Sequence, residues 1–209
     1  MELVAIDLEG SGAQDRDDEA ILEIALVPIV DWQPEIAAAY CTLINPGRPI
    51  PQRPWISPGL TDAVLRDAPT LAEVEPELAR RINGRHLVGH NVGVDWRLLR
   101  RRCPNITPAG LIDTLRLARA TGSSARSGLG ALVERFGLVS DVNRLATGSA
   151  PHRALWDAAA SAVLLRALTD QVLGGNVTVD ALIRTASNKR GGVAKAGAVP
   201  QQSLFDSDR

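Results

Sequence analysis

A short apolar run, Leu3-Val4-Ala5-Ile6, passes directly into Asp7-Leu8-Glu9 and is stopped by Gly10-Ser11-Gly12. Its length, its Val and Ile, and the glycine turn behind it predict a buried strand over residues 2–8. Side chains two apart on a strand project from one face, so Asp7 and Glu9 present two carboxylates together at the strand's end. Acids at a strand end are ordinarily solvated, but Asp7 directly follows four apolar residues and is drawn toward the sheet.

The rest of the chain alternates in the same way. Residues 21–30 and 37–44 read as two further strands, and short connections make the three an antiparallel meander. Residues 46–58 hold five prolines and read as irregular. Thr61-Asp62 and Thr70 look like helix caps, the second opening a helix over residues 71–82. A strand follows at 86–89, a helix at 92–102 stopped by Pro104, a strand at Leu111-Ile112 and a helix to Ala120. Further helices are predicted at 128–136, stopped by Gly137, and at 152–173, stopped by Gly174-Gly175. This order fits a mixed α/β layer fold in one domain over residues 1–174. Thr178 caps a short C-terminal helix within 175–187. Residues 188–209, rich in Gly, Ala, Lys, Pro and Gln, read as a flexible tail.

At 209 residues the chain can bury one good core but hardly two. Its net charge of −1 argues against electrostatic coating of nucleic acid, though not against gripping a few terminal nucleotides. Cys41 and Cys103 form no ligand spacing or disulfide framework. With no charged-then-apolar leader and no apolar run long enough to span a bilayer, the expectation is a cytoplasmic protein without a membrane partner.

Three more candidates join the first pair. Asp95 follows Gly89-His90-Asn91 at the edge of a helical apolar stripe formed by Val92, Trp96 and Leu99. An acid there needs a partner, which an arginine or a metal could supply. His152 and Asp157 lie five residues apart at the entrance to an alanine-rich helix. An Asp on its first turns can ligate a metal, and an upstream imidazole suits general-base work near neutral pH. Carboxylates from separate segments aimed at one point would repel one another unless cations sat between them.

Taken together, Ile6-Asp7-Leu8-Glu9, Gly89-His90-Asn91 with Asp95, and His152-Arg153-Ala154-Leu155-Trp156-Asp157 resemble the motifs of the DEDDh (DnaQ-like) 3′–5′ exonucleases. That family includes proofreading subunits of replicative polymerases. Ile21-Leu22-Glu23-Ile24-Ala25, Asn45-Pro46, Leu60-Thr61-Asp62 and Ile112-Asp113-Thr114-Leu115 extend the similarity across roughly residues 2–170. The resemblance implies a ribonuclease H-like fold with a mixed central sheet flanked by helices, antiparallel in its first three strands and parallel thereafter. It implies two divalent cations, Mg²⁺ or Mn²⁺. Asp7 would bridge them, Glu9 and Asp157 would complete the first site and Asp95 would support the second. His152 would deprotonate the attacking water, releasing nucleoside 5′-monophosphates. Leu8, Gly10, Ser11, His90 and Asn91 are the candidate contacts to the strand end. Ser11 or a backbone N–H stands in for a threonine that many relatives carry after the D-x-E glutamate. Ser57-Pro58-Gly59 replaces a common His-Gly pair.

Other charges stay outside the expected site. Asp113 reads as the cap of the helix from Thr114, Asp15, Asp17, Asp18 and Glu19 as a solvated loop, and Arg100-Arg101-Arg102 as an exposed helix end or a nucleic-acid contact. Gln201-Gln202-Ser203-Leu204-Phe205 is an apolar island in the polar tail. It resembles the peptide with which bacterial replication proteins bind the sliding clamp, Gln201, Leu204 and Phe205 being the anchors. The leading expectation is a 3′–5′ DNA exonuclease in proofreading or repair, working near a clamp and a DNA polymerase. An RNA- or oligonucleotide-trimming enzyme would keep the chemistry and change the substrate. A non-catalytic adaptor between polymerase and clamp has little physical use for five such residues.

Overall fold

The computed structural model describes residues 2–12, 18–50, 53–120, 128–173 and Leu182. The clamp-like peptide, the tail and, except for Leu182, the expected C-terminal helix lie outside these residues. Among the described residues, no helix is long and apolar enough to cross a membrane.

Strand β1 (Leu3–Gly10) runs past the apolar stretch because β2 (Ile21–Val30) lies antiparallel beside it to the end. Asp7 pairs with Ala25 and Glu9 with Glu23, and the register then slips so that Gly10 meets Ile21. The expected strand at 37–44 is a correction. A two-residue strand, β3 (Gln33–Pro34), and a 3-10 turn (Ile36–Ala38) precede β4, which is confined to Tyr40–Leu43. Consecutive alanines at 37–39 favour helical turns and offer no β-branched side chain to a pleat. Both β3 and β4 pair with β2.

The helix α1 (Asp62–Leu65) starts at Thr61, and α2 (Leu71–Ile82) starts at a reciprocal cap. There the Thr70 hydroxyl accepts from the Glu73 N–H at 3.4 Å, and the Glu73 carboxylate accepts from the Thr70 N–H at 2.7 Å. β5 (His86–Gly89) then runs parallel to β1, and β6 (Gly110–Asp113) parallel to β5. The order β3-β2-β1-β5-β6, with β4 also on β2, is the mixed sheet expected from the sequence. The helices α3 (Gly93–Arg102), α4 (Thr114–Ala120), α5 (Leu129–Arg135), α6 (Val139–Leu145) and α7 (Ala154–Leu173) complete the described elements. Of these, α6 was not expected, and α7 begins two residues later than predicted.

The alternation of β1 divides the core. Val4 and Ile6 pack with Leu78 and Ile82 of α2 and Leu98 and Leu99 of α3 on one side of the sheet. Leu3 and Ala5 pack with Ala158, Ala162 and Leu165 of α7 on the other. Asp7 and Glu9 continue the Leu3–Ala5 side and therefore face α7. The opposite flank of α7 is covered as well: Trp156, Ala159 and Ala160 pack against Val133 of α5 and Val142 of α6. A helix buried on both flanks must be slim, which accounts for its alanines.

Candidate active site

Beyond Ala5, β1 has no pairing partner in β5. The Leu8 N–H on the strand therefore needs another acceptor, and it donates to Asp95 Oδ1 at 3.1 Å. This bond carries the first turn of α3 to the end of β1. Glycine fits position 89 best, because a Cβ there would press to 3.0 Å from the Ile6 carbonyl oxygen and 3.0 Å from Val92 Cγ2. The chain turns away at once: Asn91 takes a left-handed φ of 64°. Its N–H donates to Asp113 Oδ1 at 2.9 Å. Asp113 also accepts from the Leu115 N–H at 3.0 Å, as a cap should, and so ties the helix start of α4 to the His90-Asn91 corner. His90 Nδ1 lies 2.9 Å from the Thr114 hydroxyl.

From the other side comes α7. Pro151 and His152 occupy the middle of a turn closed by the Arg153 N–H on the Ala150 carbonyl at 3.1 Å, with His152 at φ 66°. The imidazole is thus held before the helix and not on it, a correction to the predicted helix start. His152 is exposed, and its own N–H and its imidazole both act on the Asp157 carboxylate. A left-handed conformation costs a residue with a Cβ on the order of 1–2 kcal/mol. The surrounding turn holds it there.

Three of the candidate acids converge: ligand oxygens of Asp7, Glu9 and Asp157 lie within 4.8 Å of one another. Asp95 flanks Asp7 from α3. Burial raises the pKa of Asp7 well above the usual carboxylate range, and Asp95, Asp157 and Glu9 push it further. Burial lifts Glu9 to about 7 against the stabilising Ser57 hydrogen bond. It lifts Asp95 to about 7 against the bond from the Leu8 N–H. Asp157 rises to about 6, burial outweighing the His152 charge and N–H. Partly buried carboxylates that crowd one point, with little cation to balance them, form the donor set of a hard divalent cation. The residues present fit such an ion.

Two groups beside the acids were not singled out from sequence. Glu23, buried in β2 opposite Glu9, receives Arg153 Nε on Oε2 and Arg153 Nη2 on Oε1, each at 2.8 Å. The Ala154 N–H at the start of α7 donates to it at 3.3 Å. This pair bolts the residue after His152 to the central sheet. An acid inside the apolar run Ile21–Val30 was the available signal, since such a group must find a partner. Ser57 is the second: its buried hydroxyl donates to Glu9 Oε2. The sequence marked it only as part of Ser57-Pro58-Gly59, which stands where a His-Gly pair is common.

Ser11, a candidate contact to the strand end, lies at the foot of the β1–β2 loop. Its hydroxyl is buried and accepts from the Ala20 N–H at 2.9 Å, closing the base of the β1–β2 loop. Leu8 and Gly10 remain half-buried beside the acids, and Asn91 is exposed. Arg102 is a correction, because its guanidinium donates to the Glu19 carbonyl, with Nε at 2.7 Å, and so ties α3 to that loop.

A mixed sheet with acids at the carboxyl end of its central strand, met there by acids from two helices, defines an α/β protein built around a cation-dependent site. The exonuclease family model (RNase_T) matches residues 4–165, and the chain belongs to this family. It is 30% identical over 192 residues to a DNA polymerase III subunit epsilon-like protein of Rhodobacter capsulatus, covering 90% of this chain and 26% of that one. To the DNA polymerase III subunit epsilon of Escherichia coli it is 27% identical, with 90% of this chain and 84% of the other covered. The solved structure of Exonuclease X in complex with 5′ overhanging duplex DNA superposes with a TM-score of 0.70 at 26% identity, covering 88% of this chain and 99% of that one. The chain spans 26%, 10% and 28% of the length of three of the curated relatives it matches.

Proposed function

We propose that this protein is a 3′–5′ exonuclease that removes nucleoside 5′-monophosphates from DNA ends in replication proofreading or repair. The convergence of Asp7, Glu9 and Asp157 beside His152 carries this reading, and the likeness to Exonuclease X and to epsilon subunits supports it. Asp7, Glu9 and Asp157 would hold one Mg²⁺ or Mn²⁺, and Asp95 with Asp7 would support a second. Bound there, such ions supply the positive charge that activates water and stabilises the leaving oxygen. His152, exposed and poised on its turn, takes the proton of the attacking water as the new P–O bond forms and the bond to the 3′ oxygen breaks. Leu8, Gly10, His90 and Asn91 contact the terminal nucleotide.

The test is degradation of end-labelled single-stranded DNA and RNA with Mg²⁺, with Mn²⁺ and with EDTA. We expect DNA to be shortened from its 3′ end only with cation, and Asp7→Ala and His152→Ala to lose at least about 100-fold in rate. Equal degradation by wild type and both variants would mean a contaminant and sink the assignment. Faster cleavage of RNA would move the substrate. The peptide Gln201, Leu204 and Phe205 is proposed as a tether to a sliding clamp, raising the enzyme's concentration at primer ends. Clamp binding that survives Leu204→Ala combined with Phe205→Ala would remove the tether from the proposal.

A further inference from the structure

The proline-rich stretch between β4 and α1, expected to be irregular, contains two successive tight turns. The Ile56 N–H bonds to the Arg53 carbonyl at 3.1 Å and the Leu60 N–H to the Ser57 carbonyl at 3.2 Å. Each turn has a proline in its second position, Pro54 and Pro58, where the ring fixes φ. Gly59 takes the third position of the second turn at φ 87°, as a turn of this hand requires. Leu60 is buried with Leu22, Ile50 and Leu65, and Ile56 packs on the same group. The Ser57 hydroxyl joins the loop to Glu9. Residues 53–60 are therefore rigid and anchored both to the core and to the catalytic acids.

On this anchored loop Trp55 stands 48% exposed, the one aromatic among the large exposed apolar side chains of the described residues. The other three tryptophans are packed: Trp156 is 3% exposed, and Trp32 and Trp96 lie against the two main clusters. The Arg53 guanidinium sits 5.2 Å from the centre of the Trp55 ring. Trp55 is two residues from Ser57, and a chain spans at most about 7 Å over that distance. The Trp55 backbone is thus a short step from the residue whose hydroxyl joins Glu9.

We propose that Trp55 and Arg53 form a stacking platform for a nucleobase of the substrate strand, upstream of the bond being cut. The inference rests on the exonuclease reading. Single-stranded nucleic acid is the occupant because its bases have open π-faces that stack on an aromatic side chain whatever their sequence. Arg53 adds a cation for the strand's phosphates. Proline-stiffened turns hold the ring in place before the strand arrives, so little order is lost on binding. The platform gives the enzyme a grip on single strands that a terminal-nucleotide pocket alone lacks.

The experiment uses the full chain in EDTA, so that binding is read without turnover, and a 5′-fluorescein-labelled (dT)12 as probe. The dissociation constant, read by anisotropy, should rise about tenfold in Trp55→Ala, the scale of one lost base–aromatic stack. Trp55→Phe should restore most of the affinity, and Arg53→Gln should weaken binding and flatten its salt dependence. Unlabelled (dT)12 should quench tryptophan emission in wild type, and Trp55→Phe should abolish that quench. Unchanged affinity in Trp55→Ala, or a quench that persists in Trp55→Phe, overturns the platform. Failure of wild type to shorten DNA with cation present, while the quench and the affinity loss hold, counts against the exonuclease reading and leaves a single-strand grip.

Discussion

Glu23 and Arg153 are the residues on which the placement of His152 depends most directly. The Glu23 side chain is 5% exposed and that of Arg153 34%, so the two partners respond differently to loss of the other. Arg153→Ala leaves a carboxylate buried next to Glu9 with no cation, a loss on the order of 3 kcal/mol. Glu23→Gln leaves an arginine that can turn to water, and about 1 kcal/mol is expected. Urea unfolding of both single variants and the double variant measures this asymmetry and the coupling between them. Equal single effects that simply add would show that the pair does not act as a unit. Both variants should also lose activity beyond their loss of stability, because the turn carrying His152 then loses its tie to the central sheet through the Arg153 guanidinium.

At the scale of elements, the site exists because the pairing of β5 with β1 ends at Ala5, while β1 runs on to Gly10. Where β5 stops at Gly89, the free edge of β1 is taken by Asp95, and the turn from β5 into α3 passes close over Ile6. Gly89→Ala places a methyl group 3.0 Å from that carbonyl and from Val92. The strand and the start of α3 must separate by a few tenths of an ångström, at a cost of about 1–3 kcal/mol. The expected result is a lower urea midpoint together with reduced cation affinity, because Asp95 moves with α3. A variant of full stability and unchanged cation affinity would mean that the junction yields freely.

Across the whole molecule, the four acids oppose folding when no cation balances them. Their folded-state pKa values are raised, so the stability they permit is fully present below the ordinary carboxylate range. It is lost as pH climbs through about 6 for Asp157 and about 7 for Glu9 and Asp95. In EDTA the melting temperature should therefore fall between about pH 5 and about pH 8, reflecting a loss of a few kcal/mol. Millimolar Mg²⁺ or Mn²⁺ should restore more at the higher pH, where it binds the ionised cluster. Thermal melts at both pH values with and without cation check this. A melting temperature that rises over that interval in EDTA would contradict the crowding of the acids.

Much of this was legible along the chain. The strand ending in Asp7 and Glu9, the helix cap at Thr70, the Gly137 stop and the α/β order follow from local rules: period-two alternation, side-chain caps and left-handed glycines. These act over a few residues and need no fold to be read. The alanines before Tyr40 and the turn at His152 were misread because extended and helical patterns there were settled by neighbours. What only the tertiary structure decided is the set of partners brought from afar. These are Glu23 with Arg153, 130 residues apart, Ser57 on Glu9 at 48, and Asp95 on the Leu8 N–H at 87. The physical reason is that a buried charge or N–H must be satisfied, but the sequence states only the need. Which group answers it depends on where the sheet ends and which helices cross there. The acids at the end of the first strand declared themselves; the framework that aims them is a property of the folded molecule.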